Sequence, residues 1–368
     1  MARTEVERPA AGLRRAGPVI AGLRRSIGGA TARLFLPALA AVMVGLVLLV
    51  AARHGASEAG QQLVNGLQQG AIYALVAVGY TMVYGIIELI NFAHGDVFTL
   101  GAFYSILISE LLGRTVHLDL GSLATSGLAG LVVALAILFP LTMLMSGVTG
   151  VVIERVAYRR LRDAPRLAPL ITAIGVSFLL EGIMFAGFGS GNVQAGKGGW
   201  IHGTAFTIHG VFVGWKELFV IVVAAALMVL LHQFIHHSRL GKAMRATAQD
   251  RDAALICGIN INRTISATFF IGSALAGAGA LIYALYYNLL QWNLGFNLGI
   301  IAFTAAVLGG IGNIVGAGLG GFLIGLVAVY GADLVGGQWS NSIVFSMLII
   351  VLTFRPTGLL GVQVPDRA

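Results

Sequence analysis

Two glycine-rich runs in this 368-residue sequence carry the letters of nucleotide sites. Gly191 to Lys197 has the GxxxxGK spacing in which backbone N–H groups and a lysine cradle phosphates, but Gly198 stands where a magnesium-binding Ser or Thr belongs. Gly316-x-Gly318-x-x-Gly321 matches a dinucleotide fingerprint by letters, yet it sits inside an apolar run with no strand-turn-helix setting and no ribose-binding acid downstream. Neither run supports a cofactor in this chain. Gly312, Gly316 and Gly320, with Gly321 and Gly325, fall instead at small-xxx-small spacing, which lets helix backbones approach closely in lipid. The eight histidines (His54, His94, His117, His202, His209, His232, His236, His237) lie mostly in loops or at run ends, without an HExxH, GxSxG or SxxK pattern, so no metal or nucleophile site forms. The single cysteine, Cys257, excludes an internal disulfide and reads as a small buried side chain.

Ionisable groups inside apolar runs are more informative, because a charge at the bilayer centre costs about 2.5–3.5 kcal/mol on insertion scales. Glu88 and Glu181 stand out. Glu181 falls about 18 Å along its helix from Pro169 at ~1.5 Å per residue, so it faces protein or water, as a group lining a path or as a packing residue. Between Ile90 and Val97 the chain reads INFAHGDV, a polar island between apolar runs in which Asp96 is placed to cap the following helix. Broken apolar segments are where transporters place binding sites, so Asn91, His94, Gly95 and Asp96 join Glu181 as residues of a translocation path; a plain loop is the alternative.

The elements that must position these residues follow from composition. Apolar residues make up 57% and charged residues only 10%, against about 25% in an ordinary soluble domain. The apolar residues come in nine blocks, 34–52, 62–87, 97–112, 122–152, 167–189, 217–235, 264–290, 299–330 and 340–354. Most are long enough to cross a ~30 Å hydrocarbon core as helices. Gly309 to Asn313 interrupts the 299–330 block, giving two spans or a re-entrant pair. The expectation is an all-α, polytopic transmembrane bundle of nine to ten membrane elements with broken helices.

The net charge of +8 then reads as topology rather than nucleic-acid binding. Seven arginines fall in residues 1–33, five in 154–166 and five Arg or Lys in 236–263, against four basic residues in the remaining connections near 53, 114, 197 and 216. Short basic segments stay cytoplasmic, which puts both termini inside and the 190–216 loop outside. Residues 1–33 read as a basic cytoplasmic tail, and 34–61 as an N-terminal transmembrane helix with its connection; a cleaved signal peptide is disfavoured by the 19-residue core. These patterns alone describe a transporter, channel or membrane scaffold.

Four collinear stretches narrow that choice: NGLQQGAIYALVAVGYTMVYGIIELINFAHGDVFTLGAF from Asn65, VIERVAYRRLR from Val152 with LITAIGVSF from Leu170, SRLGKAMRATAQDRDAALICGININR from Ser238, and AFTAAVLGGIGNIVGAGLGGFLIG from Ala302 with RPTGLLG from Arg355. Over residues 62–361 the chain resembles permease subunits of branched-chain amino acid ABC importers of the LivH type. The resemblance implies a non-catalytic permease domain in a bacterial inner membrane. Its implied partners are a LivM-type second permease, two cytoplasmic ATPases that bind ATP and Mg, and an extracytoplasmic binding protein that delivers the amino acid. It also implies a short cytoplasmic helix docking on an ATPase, here Arg245 to Gly258, with Arg245, Asp250, Arg251, Asp252, Ala254 and Gly258 as its residues. Urea or amide importers have similar permeases, and a self-sufficient carrier or channel is the rival from another class. Two features depart from the pattern: the first ~55 residues extend beyond the usual start, and Glu181 stands where members tend to carry an uncharged amide.

Overall fold

The computed structural model describes residues 36–89, 91–162, 164–165, 167–355 and 357–361; the basic tail expected over residues 1–33 lies outside them. Among the described residues, nine helices are long and apolar enough to cross a membrane. In chain order the helices are α1 (Leu36–His54), α2 (Ala56–Ile87), α3 (Ala93–Thr115), the short α4 (Leu120–Thr125), α5 (Leu128–Ile153), α6 (Leu167–Phe188), α7 (Trp215–His237), α8 (Arg239–Gln249), α9 (Arg251–Ile256), α10 (Ile261–Tyr287), α11 (Leu294–Gly309), α12 (Ile314–Val335) and α13 (Ser340–Phe354). The long 299–330 block resolves into two helices, α11 and α12, turning at Gly310 to Asn313. They run antiparallel, since Gly309 meets Gly316 and Ala305 meets Gly320.

Helix α2 is the axis of the bundle. It is apolar over most of its circumference, and such a helix is stable only when neighbours surround it; α12, α10, α11 and α7 do so. Small residues set the closest approach. A Cβ on Gly321 would collide with the backbone of Ala74, and one on Gly325 with the backbone of Gly70. Gly312 differs from the other glycines of that stripe: it has open space around it and lies in the turn with φ +88°, so it serves the bend rather than helix packing. Helix α5 packs on α10 through Ser146 beside Gly277 and Gly150 beside Ser273. It runs on through a π turn, Glu154–Tyr158, and a 3-10 turn, Arg159–Leu161.

The contacts define two ends. At one end His54 meets Asp333 at 2.9 Å and the Phe212 N–H donates to Gln61 at 2.9 Å. At the other, Arg251 donates to the Ile86 carbonyl at 2.9 Å and Asn313 to that of Leu360 at 2.9 Å. The second end carries Arg155, Arg159, Arg160, Arg162, Arg239, Lys242, Arg245, Arg251, Arg263 and Arg355, whereas the first carries only Arg53, Arg114, Lys197 and Lys216 among the described residues. The loop at the first end holds an element the apolar pattern did not announce, a hairpin of β2 (Thr204–Ile208) and β3 (Val211–Gly214). Earlier in the same loop, β1 (Val193–Gln194) pairs with β4 (Leu289–Leu290), which follows α10.

Candidate functional site

The polar island from Asn91 to Asp96 is not a solvated loop. Asn91, His94 and Asp96 are all buried, and each faces a different helix. Asn91 accepts a hydrogen bond from the Tyr158 hydroxyl in the π turn after α5, 2.9 Å away. His94 packs edge-to-face on Tyr80 of α2, ring centroids 4.7 Å apart, and neither of its ring nitrogens has a hydrogen-bond partner in the protein. Gly95 lies where α3 crosses α11: a Cβ there would strike the Gly295 carbonyl and crowd Gly299. Asp96 accepts a hydrogen bond from the Ser177 hydroxyl of α6, while its second carboxylate oxygen has none from the protein. The island is a junction of four helices.

Asp96 does not cap α3 as expected. That helix begins at Ala93, preceded by Phe92 at the cap position with no side-chain cap bond, so Asp96 stands inside the first turn and its side chain turns to α6. Ser177 lies about 15 Å into α6 at ~1.5 Å per residue. The island is therefore submerged. Glu181 is also buried, and it follows Ser177 by four residues, one turn along the same face of α6. The α3–α6 contact thus brings Asp96 and Glu181 to one interface, and the other island residues point elsewhere. Glu88, the second acid singled out, lies beyond the span: it is exposed and ends α2 in a left-handed conformation, φ 55°.

A cavity of about 560 Å³ opens at the basic end among α2, α7, α8 and the α11–α12 turn, lined by Thr81, Gly85, His232, Arg245 and Asn313 among others. A smaller one, about 260 Å³, lies toward the opposite end beside Gln69, Tyr73, Tyr283 and Tyr287. Neither is lined by the island or by Glu181. The aromatic and amide residues of the smaller cavity escaped sequence reading because they look like ordinary members of apolar runs.

The segment expected to form one cytoplasmic helix from Arg245 to Gly258 is two. Asp250 ends α8 and starts α9, its carboxylate accepting from the N–H groups of Asp252 (2.9 Å) and Ala253 (3.0 Å). Arg245 belongs to α8, and its guanidinium caps the end of α7 by donating to the Ile235 carbonyl. Helix α9 stops at Gly258, φ +81°: the Gly258 N–H bonds the Leu255 carbonyl at 2.9 Å and the Ile259 N–H that of Ala254 at 3.0 Å, a paired closure of the last turn. Ala254 is buried, whereas Leu255 is 63% and Ile256 87% exposed. Cys257, expected to be buried, is exposed as well, because the turn at Gly258 carries it away from the bundle. Arg251 ties this helix to the last turn of α2. A short helix therefore presents two bare aliphatic side chains on a strut to the axial helix.

These features meet a family profile described as the branched-chain amino acid transport system permease component, which matches residues 62–353. The chain belongs to that family. It is 42% identical over 304 residues to the high-affinity branched-chain amino acid transport system permease protein BraD of Pseudomonas aeruginosa, covering 82% of this chain and 95% of the relative. It is 39% identical to LivH of Escherichia coli over the same shares. A more distant permease, the autoinducer 2 import system protein LsrD of Photorhabdus luminescens, is 25% identical over 69% of this chain and 76% of its own length. No solved structure matches the chain significantly. The multi-pass helical bundle is a permease of this family, and the family's matched region begins after α1.

Proposed function

We propose that this permease works in an ATP-driven importer of branched-chain or related amino acids. In this reading it pairs with a second permease subunit, takes solute from an extracytoplasmic binding protein, and is moved by two cytoplasmic ATPases that hold ATP and Mg. The names and high coverage of BraD and LivH support the solute class. The ten basic residues at one end support a cytoplasmic face there, with the C-terminus inside. His54 ends α1 at the opposite end, beside Asp333, so in this reading α1 starts from the inside.

The observation that carries the ATPase reading is α9. Asp250 and Gly258 fix its two ends, Ala254 seats it, and Arg251 joins it to α2. Leu255 and Ile256 would enter an apolar groove on the ATPase, while Asp252 stays available for charge pairing that adds specificity more than affinity. Displacement of α9 then reaches α2 through the Arg251–Ile86 bond, a charge-assisted bond of the ~1.5–3 kcal/mol class. From α2 the movement passes to the Asn91–Asp96 junction and hence to α3, α6 and α11. We assign that junction and Glu181 to the parts that open and close the path.

Replacing Ile256 with Asp tests the docking role. The residue is 87% exposed, so the variant keeps its fold and membrane level. Solute-stimulated ATP hydrolysis and uptake by the assembled complex should fall at least tenfold, with Ile256→Leu close to wild type. Undiminished coupling in Ile256→Asp would remove α9 from the contact.

A further inference from the structure

The phosphate-loop lookalike ends in a lysine that the transport reading leaves unused. Lys197 is only 1% exposed. Its ammonium donates to the carbonyls of Ala195 at 3.0 Å and Ser105 at 3.3 Å, and lies 5.8 Å from the Trp200 ring centroid. No carboxylate among the described residues pairs with it. An ammonium has three donors, and burying its charge against neutral oxygens alone is costly, so the position favours an anion that comes and goes.

The surroundings are built rather than loose. The Lys197 N–H donates to the Asn288 side chain at 2.8 Å, the Ala195 N–H to the Asn288 carbonyl at 3.1 Å, and β1 pairs with β4 just beside them. Lys197 and Trp200 line a cleft of about 450 Å³ together with Ile106, Glu110, Arg114 and Asp119, a volume within the roughly 300–1,000 Å³ typical of small-molecule sites. Glu110 and Arg114 pair at 3.3 Å on α3, and Asp119 caps α4. The cleft thus carries two acids and two bases. A simple anion would use Lys197 and meet the acids unfavourably, and a simple cation the reverse. A small zwitterion uses both.

We propose that this cleft is a binding site for a free zwitterionic α-amino acid, with the carboxylate on the Lys197 ammonium, the amino group toward Glu110 and Asp119, and the apolar side chain against Ile106 and Trp200. Asn288, which clamps the lysine loop, directly follows Tyr287, a wall of the 260 Å³ cavity beside α2. Solute held in the cleft therefore waits next to the polar cavity nearest that end of the bundle. The site goes beyond the transport reading and rests on it only for the choice of leucine as first probe.

The full-length permease in nanodiscs, without binding protein or ATPases, should bind L-leucine saturably by calorimetry. 4-Methylpentanoate, which lacks the amino group, and 3-methylbutylamine, which lacks the carboxylate, should each bind at least tenfold more weakly. Lys197→Met should weaken leucine binding at least tenfold. Glu110 is exposed, so Glu110→Gln keeps the fold even if the lysine variant does not; it should weaken leucine and bind 4-methylpentanoate at least as tightly as the wild type. Burial pushes Lys197 down to about 8, so 4-methylpentanoate, whose carboxyl titrates far lower, should bind more weakly as pH rises through that value. Glu110, Arg114 and Asp119 are the other charged groups of the cleft. No saturable leucine binding, or leucine affinity unchanged in Glu110→Gln, would overturn the site. ATP-driven uptake by the complete importer, measured separately, would survive that failure.

Discussion

Two buried carboxylates are satisfied in different ways. Glu154 pairs with Arg162 and accepts from the Ser266 hydroxyl at 2.6 Å, so its charge is compensated where the π turn meets α10. Asp96 has only Ser177, and His94, two residues earlier and facing α2, has ring nitrogens with no protein partner. Buried polar atoms without partners are rare, and they concentrate where water or solute exchanges or where parts move. Asp96 and His94 therefore fit a mobile junction, and Glu154 a fixed one. Cys257 offers a direct reading of sidedness: as the sole cysteine, exposed next to Ile256, it should react with a membrane-impermeant maleimide in inside-out vesicles and resist it in right-side-out vesicles. The opposite pattern would invert the topology. At this scale sequence reading found the polar residues but not their partners. Asn91 to Asp96 are adjacent in the chain, and nothing in that run says that they disperse to α2, α6, α11 and the π turn. Leu255 and Ile256 passed unnoticed because an exposed aliphatic residue looks no different in sequence from a buried one.

Helices and their joints account for most of what could be foreseen. The apolar blocks and Gly309 to Asn313 mark α11 and α12 because glycines in a long apolar run supply the bend. The division at Asp250 was hidden, since one aspartate ends α8 and caps α9 within a stretch whose charge pattern reads as one helix. Helix packing yields a contrast. Gly325 admits no Cβ against Gly70 of α2, whereas Gly182 on α6 has nothing within 4 Å. Gly325→Ala should destabilise by about 1–3 kcal/mol, the overpacking range, and lower the thermal midpoint of the purified protein. Gly182→Ala should be neutral or slightly stabilising. Equal midpoints for the two variants would contradict the α2–α12 contact as the tight seam of the bundle.

For the molecule as a whole, low charge and long apolar runs made the membrane bundle legible, and basic-residue placement gave it two distinct ends. The two-stranded elements in the 190–216 region were not legible, because strands of two to five residues leave too little period to detect. Helix α1 lies outside the family match and touches the rest through Val50 with Leu46, Val47 and Ala51 beside it, through Leu39, and through the His54–Asp333 contact. On the proposed coupling through α9, this chain does not drive transport by itself and its motion is imposed from the basic end. The most direct test is radiolabelled leucine uptake in proteoliposomes, with the chain alone and with its partner permease, two ATPases and binding protein. Uptake should require Mg-ATP and the complete set, and be absent for the chain alone; leucine accumulation by the chain alone, driven by an ion gradient, would contradict the account.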